Sequence, residues 1–271
     1  MFFRIATWNV NSIRLRLAQI FQYLDQFPAD ILCLQETKCP DGLFPVEAFE
    51  AAGYKYIAFS GQKSYNGVAI VSRLPFKGVE KRVFCQKQDC RHISVIVEIY
   101  GRNMRIHNFY VPAGGDVPDA EVNEKFRHKL DFLEEMSSIQ ADQKDGLSSL
   151  LVGDLNIAPL AEDVWSHKQL LKVVSHTPIE TERLQALCLQ GGWIDLMRMH
   201  CPVPAKLYTW WSYRARDWAL ADRGRRLDHI WSSPDLAPFM ADLSIFRVAR
   251  GWNQPSDHVP VQTLFDFSRQ I

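Results

Sequence analysis

The chain has 271 residues, 47% of them hydrophobic and 23% charged, with 31 basic and 31 acidic side chains that cancel. This is the balance of a soluble globular protein with a sizeable core, and no apolar run approaches the length of a membrane span. Zero net charge leaves the question of a nucleic-acid partner to the local distribution of basic residues. The six cysteines (Cys33, Cys39, Cys85, Cys90, Cys188, Cys201) lack metal-type spacing and, in a chain this long, argue against a disulfide scaffold.

The N-terminus, Met1-Phe2-Phe3-Arg4-Ile5-Ala6-Thr7-Trp8-Asn9, has no signal-peptide core or cleavage site, so a cytoplasmic protein is expected. Residues 2–9 instead predict a strand. A helix over 12–26 follows, with Ser12 as its N-cap and Ile13, Leu17, Ile20 and Leu24 as its apolar stripe. Ile31-Leu32-Cys33-Leu34 predicts a buried strand, and further strands are expected around 54–59, 67–72, 93–99 and 104–111. In the third of these Ile93, Val95, Val97 and Ile99 alternate onto one face. A helix near 121–139 precedes a strand at 149–153, and another near 179–190 ends at Gly191-Gly192. Strands near 226–232, 242–248 and 259–267 close the chain. Strands interleaved with helices, without a repeat or linker, point to one α/β domain over 1–271, built on two sheets with helices outside.

The stretch Leu150-Leu151-Val152-Gly153-Asp154-Leu155-Asn156-Ile157-Ala158-Pro159 carries the first chemical signal. An apolar strand stops at a glycine, and Asp154 and Asn156, two residues apart, are expected on one side of an extended backbone. Alone, the pair reads as well as a strand-ending turn. Other strand ends carry similar groups: Asn9, Glu36, Tyr110, Asp228, and Ser256-Asp257-His258 before the last strand. Oxygen ligands with one histidine suit Mg²⁺ or Mn²⁺ and phosphate chemistry.

Thr7-Trp8-Asn9-Val10-Asn11, Leu34-Gln35-Glu36-Thr37-Lys38, Tyr65-Asn66-Gly67-Val68-Ala69, Tyr110-Val111-Pro112, Gly153-Asp154-Leu155-Asn156, Leu227-Asp228 and Ser256-Asp257-His258 run in one order along nearly the whole chain. In this set the chain resembles the exonuclease III type of apurinic/apyrimidinic endonuclease, within the endonuclease/exonuclease/phosphatase superfamily. The resemblance implies a four-layer α/β sandwich, with two mixed or antiparallel sheets packed face to face and helices outside. It implies a Mg²⁺-dependent, monomeric DNA-repair nuclease, with Mn²⁺ as an alternative metal. Its substrate would be double-stranded DNA with abasic sites or blocked 3′ ends, and no membrane would be involved. Carried over residue by residue, Glu36 would be the main metal ligand, helped by Asn9 and Asp257. Asp154 would orient or deprotonate the attacking water and Asn156 would hold the phosphate. Tyr110 would donate a hydrogen bond to the phosphate, and His258, oriented by Asp228, would stabilise charge at phosphorus or move a proton. Fixed donors and cations lower the barrier where negative charge develops, and a carboxylate behind an imidazole fixes its tautomer. Between Asp154 and the Asp228–His258 pair as acceptor of the water's proton, Asp154 is favoured.

The case for DNA rests on residues 208–218, where aromatic and basic side chains interleave, and on Arg223-Gly224-Arg225-Arg226. Such a stretch suits phosphate tracking with stacking platforms, although at least one of Trp210 and Trp211 is expected in the core. The resemblance places Trp210 and Leu227 at the pocket for a baseless sugar and Arg91 near the DNA backbone, where it could equally join an ion pair. Four departures bear on substrate preference. Ala113-Gly114-Gly115 stands where an amide side chain is frequent, and Arg225 replaces an apolar or aromatic residue beside the sugar pocket. His229 follows Asp228 and reads equally as a buried histidine, while His167 and His176 fall in a variable loop where bulk could hinder duplex entry. The competing readings are a relative acting on non-DNA phosphoesters, a 3′-end-processing enzyme with little abasic-site incision, and an inactive DNA-binding protein.

Overall fold

A computed structural model describes residues 1–141 and 146–269. In chain order the elements are β1 (Phe2–Asn9), α1 (Ile13–Gln26), β2 (Ile31–Gln35), α2 (Val46–Ala51), β3 (Tyr56–Ser60), β4 (Val68–Ser72), β5 (Phe76–Glu80), β6 (His92–Ile99) and β7 (Arg102–Tyr110). Then come α3 (Glu124–Met136), β8 (Ser148–Asp154), α4 (His167–Leu170), α5 (Pro178–Gln190), β9 (Ile194–Asp195), α6 (Leu196–His200) and β10 (Trp210–Trp211). Last are α7 (Trp218–Ala221), β11 (Gly224–Arg225), β12 (Asp228–Ser232), β13 (Met240–Ile245) and β14 (Val261–Asp266).

Two six-stranded sheets result, in the orders β13-β14-β1-β2-β4-β3 and β5-β6-β7-β8-β12-β9. Each is mixed, with one parallel pairing: β1 with β2 in the first and β7 with β8 in the second. Their inner faces share one apolar interior, in which Ile5, Cys33 and Ile70 meet Ile93, Val95, Ile106, Val152 and Ile230. The expected alternation in β6 is observed, with Ile93, Val95, Val97 and Ile99 all buried there. On the outer face of the first sheet, Ile13, Ile20, Tyr23 and Leu24 of α1 pack with Ala6, Trp8, Leu32 and Leu34. On the outer face of the second, α3 and α5 contribute Phe132, Leu133, Met136, Leu184 and Leu187 against Phe109, Leu151 and Trp231. Helix, sheet, sheet and helix form the four layers expected. Burial on both faces explains why β2 and β8 read as continuous apolar runs.

Three expectations are corrected. Ser12 does not cap α1 with its side chain: its φ is 97°, and its backbone N–H donates to the Glu36 carbonyl at 2.7 Å. The strand predicted at 226–232 begins only at Asp228, and the short β11 just before it pairs with β10 instead. β5 was not expected at all; it is a largely exposed edge strand with a register shift between Phe76 and Gly78, so no alternation marks it.

Candidate active site

The polar strand ends lie at one end of both sheets because of strand register. Asn9 pairs opposite Gln35, which places Glu36 beside it. In the second sheet Tyr110 and Asp228 both pair opposite Asp154. Between the sheets, a buried amide tie holds these ends together: the Gln35 side chain donates to Asn108 Oδ1 at 2.7 Å, and Asn108 Nδ2 donates to the Leu34 and Ala69 carbonyls at 3.0 and 2.9 Å. Gly153 is required by the same close packing, since a Cβ there would lie 2.0 Å from the Phe109 carbonyl oxygen.

Asp154 and Asn156 are adjacent, but through a turn and not by strand alternation. β8 stops at Asp154, and Asn156 is left-handed with φ of 54°. The Asn156 N–H donates to Asp154 Oδ1 at 2.9 Å, and its Nδ2 donates to the Val111 carbonyl at 2.8 Å and Asp154 Oδ2 at 3.2 Å. Both side-chain hydrogens of Asn156 therefore hold the turn and the carboxylate. Asn9 Nδ2 donates to Asp154 Oδ2 at 2.8 Å and to Glu36 Oε1 at 2.9 Å, linking the two sheets' carboxylates. Its Oδ1 accepts the Asn11 N–H at 3.0 Å, so towards both carboxylates Asn9 acts as a donor.

His258 and Asp228 form the third part. His258 Nδ1 lies 2.8 Å from Asp228 Oδ2, which leaves Nε2 directed at Asp154 Oδ2, 3.6 Å away. Backbone bonds fix both partners: Thr209 Oγ1 accepts the Leu227 and Asp228 N–H groups, and the Ser256 hydroxyl donates to the Asn9 carbonyl at 2.7 Å. Burial favours the neutral imidazole, but the carboxylates of Asp228 and Asp154 outweigh it and hold His258 up to about 10. Burial pushes Asp154 up to about 7; Asp228 and Glu36 add to this, while His258 and the Asn9 amide oppose it. Burial also raises Tyr110 well above its ordinary value, as do Glu36 and Asp154, so Tyr110 stays a hydroxyl donor. For Glu36 burial works upward, but Lys38, with Nζ 2.7 Å from Oε2, and the Asn9 amide bring its carboxyl below the usual range.

Above these groups opens a cleft of 620 Å³, lined by Glu36, Asn156, Asp257 and His258 on one side and Trp165, Trp210, Arg225 and Leu227 on the other. Among the described residues, the group of three acidic or imidazole side chains with ligand atoms within 4.8 Å of one another is Asp154, Asp228 and His258, which could hold a metal ion. Within that trio His258 Nδ1 and Asp228 Oδ2 are already bonded to each other at 2.8 Å. Glu36, Asp116 and Asp257 are the carboxylates that line the cleft, and of these Glu36 and Asp257 bond to the Asn9–Asn11 segment. Asp257 accepts single bonds from Asn11 Nδ2 at 3.1 Å and Trp210 Nε1 at 2.9 Å, which leaves lone pairs on both oxygens. Carboxylate oxygens of this kind fit a hard divalent cation.

Trp210, Leu227 and Arg225 sit together as expected, Arg225 stacking 5.2 Å over the Trp210 ring. Trp211 is the core tryptophan of the pair. Arg91 takes the ion-pair alternative: it is bound to Asp89 and stacks 5.0 Å from the Tyr110 ring centroid. Arg226 is fully buried between Asp163 and Asp195, with Nη1 2.6 Å from Asp195 Oδ2, and is no phosphate tracker. Exposed Arg214, Arg216 and Arg223 remain for that role. His176 is also buried, bonded to the Ala158 carbonyl at 2.6 Å, whereas His167 is exposed. Two groups at the site were not expected from the sequence: Trp165, under Arg223, and Lys129, whose place on the apolar face of α3 with Phe126, Leu130 and Leu133 marks it as buried.

His229 is the buried histidine of its alternative reading, with Nε2 2.9 Å from the Ile157 carbonyl and, among the described residues, no hydrogen-bond partner at Nδ1. Burial, reinforced by Arg226, pushes it down to about 3. The ring is neutral in both folded and unfolded chains at high pH; below about 6.5 only the unfolded chain takes up the proton. Stability is therefore lost as pH falls from about 6.5 towards 3, by roughly 1.4 kcal/mol per pH unit for this group. Urea midpoints at pH 7 and pH 5 check this: His229→Leu is expected to narrow the difference between them, and an unchanged difference would refute it.

Fold and site together define a phosphoester hydrolase: two stacked mixed sheets with a buried acid–imidazole–acid row beneath an oxygen-rich cleft. The chain belongs to the Endonuclease/Exonuclease/phosphatase family, which it matches over residues 6–258. It is 28% identical to an exodeoxyribonuclease III of Haemophilus influenzae, over 97% of this chain and 99% of that one. Among solved structures it superimposes on an AP endonuclease from Archaeoglobus fulgidus with TM-score 0.88 and 33% identity, covering 97% and 99% of the two chains. The 3′–5′ exonuclease NExo from Neisseria meningitidis, also described bound to product DNA as a 3′ phosphatase, gives TM-score 0.88 and 32% identity over 98% and 100%. Among the described residues no helix is long and apolar enough to cross a membrane.

Proposed function

We propose that this protein is a divalent-metal-dependent DNA-repair nuclease that hydrolyses phosphodiesters 5′ to abasic sites and clears blocked 3′ ends. The observation that carries this reading is the Asp228–His258–Asp154 row beneath a cleft walled by tryptophans and arginines. The relatives named above are an exodeoxyribonuclease III, an AP endonuclease and a 3′–5′ exonuclease also described as a 3′ phosphatase with product DNA, which supports this reading.

Glu36 and Asp257 would hold the ion, Mg²⁺ by preference and Mn²⁺ as substitute. When bound, it supplies a Lewis acid that neutralises phosphoryl charge. Asp154 accepts the proton of the attacking water, its oxygens aimed by the Asn156 N–H and the Asn9 and Asn156 amides. His258, kept as an imidazolium by Asp228, faces the charge that grows on the phosphoryl oxygens. Tyr110 donates its hydroxyl proton to the phosphate. Trp210 and Leu227 pack on the baseless sugar, and Arg214, Arg216 and Arg223 bind backbone phosphates. The enzyme acts as a monomer in the cytoplasm.

One observation favours a second weighting of these activities. Arg225 Nη1 donates to Ser175 Oγ at 2.7 Å and to the Val174 carbonyl at 3.1 Å, so its guanidinium lies across the sugar side of the cleft. That placement narrows an apolar pocket and adds a cation, which suits a terminal 3′-phosphate over an internal abasic sugar. Side-by-side turnover of abasic, recessed 3′-hydroxyl and 3′-phosphate duplexes tests both readings. Mg²⁺-dependent hydrolysis of all three is expected, fastest on the 3′-phosphate. Hydrolysis of a soluble phosphomonoester with none of the duplexes cleaved would overturn the assignment.

A further inference from the structure

Behind the catalytic turn, outside the cleft, lies an ion pair that the mechanism does not use. Lys129 of α3 and Glu180 of α5 have side chains with no solvent exposure, and Lys129 Nζ is 2.5 Å from Glu180 Oε1. The ammonium's other donors reach the Asn156 carbonyl at 2.8 Å and the Ala113 carbonyl at 3.3 Å. Glu180 accepts the Ser175 and Thr177 N–H groups at 3.0 and 3.1 Å and the Thr177 hydroxyl at 2.6 Å. One buried pair thus joins three segments: the left-handed Asn156 turn that aims Asp154, the loop after Pro112, and the 173–177 loop that lines the cleft and holds Arg225.

We propose that Lys129 and Glu180 are positioning residues for hydrolysis, fixing the Asn156 turn and the cleft wall in one arrangement. The inference rests on the hydrolytic reading of the Asp154 site. A lysine on an apolar helix face is costly to bury, and each of its three donors here has an acceptor. Asn156 holds a left-handed conformation that a non-glycine residue resists, and its carbonyl is pinned by a full positive charge. The same pair explains Gly114 in the Ala113-Gly114-Gly115 run. Gly114 has φ of 90°, and a Cβ there would come within 3.0 Å of both Lys129 Cδ and Val174 Cγ1. The loop must be bare to close on the lysine stem.

The test separates positioning from stability. Lys129→Met alone leaves a buried carboxylate unpaired and is expected to lose both stability and activity. Adding Glu180→Gln removes the stranded charge, so the double variant is expected to regain most of its melting temperature but not its rate. We expect its kcat to stay about 10- to 100-fold down, with KM within about threefold, because a displaced catalytic group costs rate more than binding. A double variant with wild-type kcat would overturn the proposal. Should the double variant fail to fold, Gly114→Ala decides, since it pushes on the lysine stem without altering a charge. A fall of about three- to tenfold in kcat supports the proposal, and an unchanged kcat refutes it. Rates are taken on a 3′-phosphate duplex and on bis(p-nitrophenyl) phosphate. Wild-type failure on the duplex alone would count against the DNA reading, while the variant-to-wild-type ratio on the other substrate still reports on the pair.

Discussion

Asp154→Asn is expected to fold, to bind an abasic duplex about as well as the wild type, and to lose about 10³-fold in kcat. The side chain is buried beneath the cleft, so the change removes no surface that DNA would touch. It keeps the shape but loses the proton acceptor. It also sets donors against donors, because Asp154 Oδ2 accepts from both Asn9 Nδ2 and Asn156 Nδ2, and an amide nitrogen cannot. Single-turnover cleavage beside a binding isotherm checks the split. Retained turnover would remove Asp154 from the mechanism, and lost binding would make its role structural.

The second large effect is expected at Asp228. Its carboxylate, 2.8 Å from His258 Nδ1, is the leading influence that keeps the buried imidazole charged. Asp228→Asn withdraws that support at nearly constant volume, and kcat should fall by about 10² to 10⁴-fold, the range for losing a carboxylate that orients a catalytic histidine. His258→Ala in the same background should then cost little more, since the two act as a unit. Kinetics on the two single variants and the double variant check this; fully additive losses would contradict the pairing.

How much of this was legible beforehand depended on the kind of signal each residue carries. Strands buried on two faces, such as Ile31–Gln35, and strands alternating on one, such as His92–Ile99, announce themselves by apolar pattern. The site was legible as a set of polar residues ending those patterns, and Tyr110, Asp154, Asn156, Asp228 and His258 do come together. Pattern cannot report a backbone turn, so Asn156 was expected beside Asp154 by alternation and instead gets there through a left-handed residue. Nor does it show which partner a cation reaches: Arg226 looked like part of a basic surface and is enclosed by Asp163 and Asp195. Two-residue strands such as β10 and β11 are too short to carry any period, and the exposed edge β5 has no buried face to reveal one.

Metal-assisted hydrolysis through Asp154 is tested most directly by product analysis on an abasic duplex. With Mg²⁺ the protein should leave a 3′-hydroxyl on one side of the nick and a 5′-deoxyribose phosphate on the other, and EDTA or Asp154→Asn should stop the reaction. Cleavage that persists in EDTA and leaves an unsaturated 3′ aldehyde, the mark of elimination in place of hydrolysis, would contradict the account.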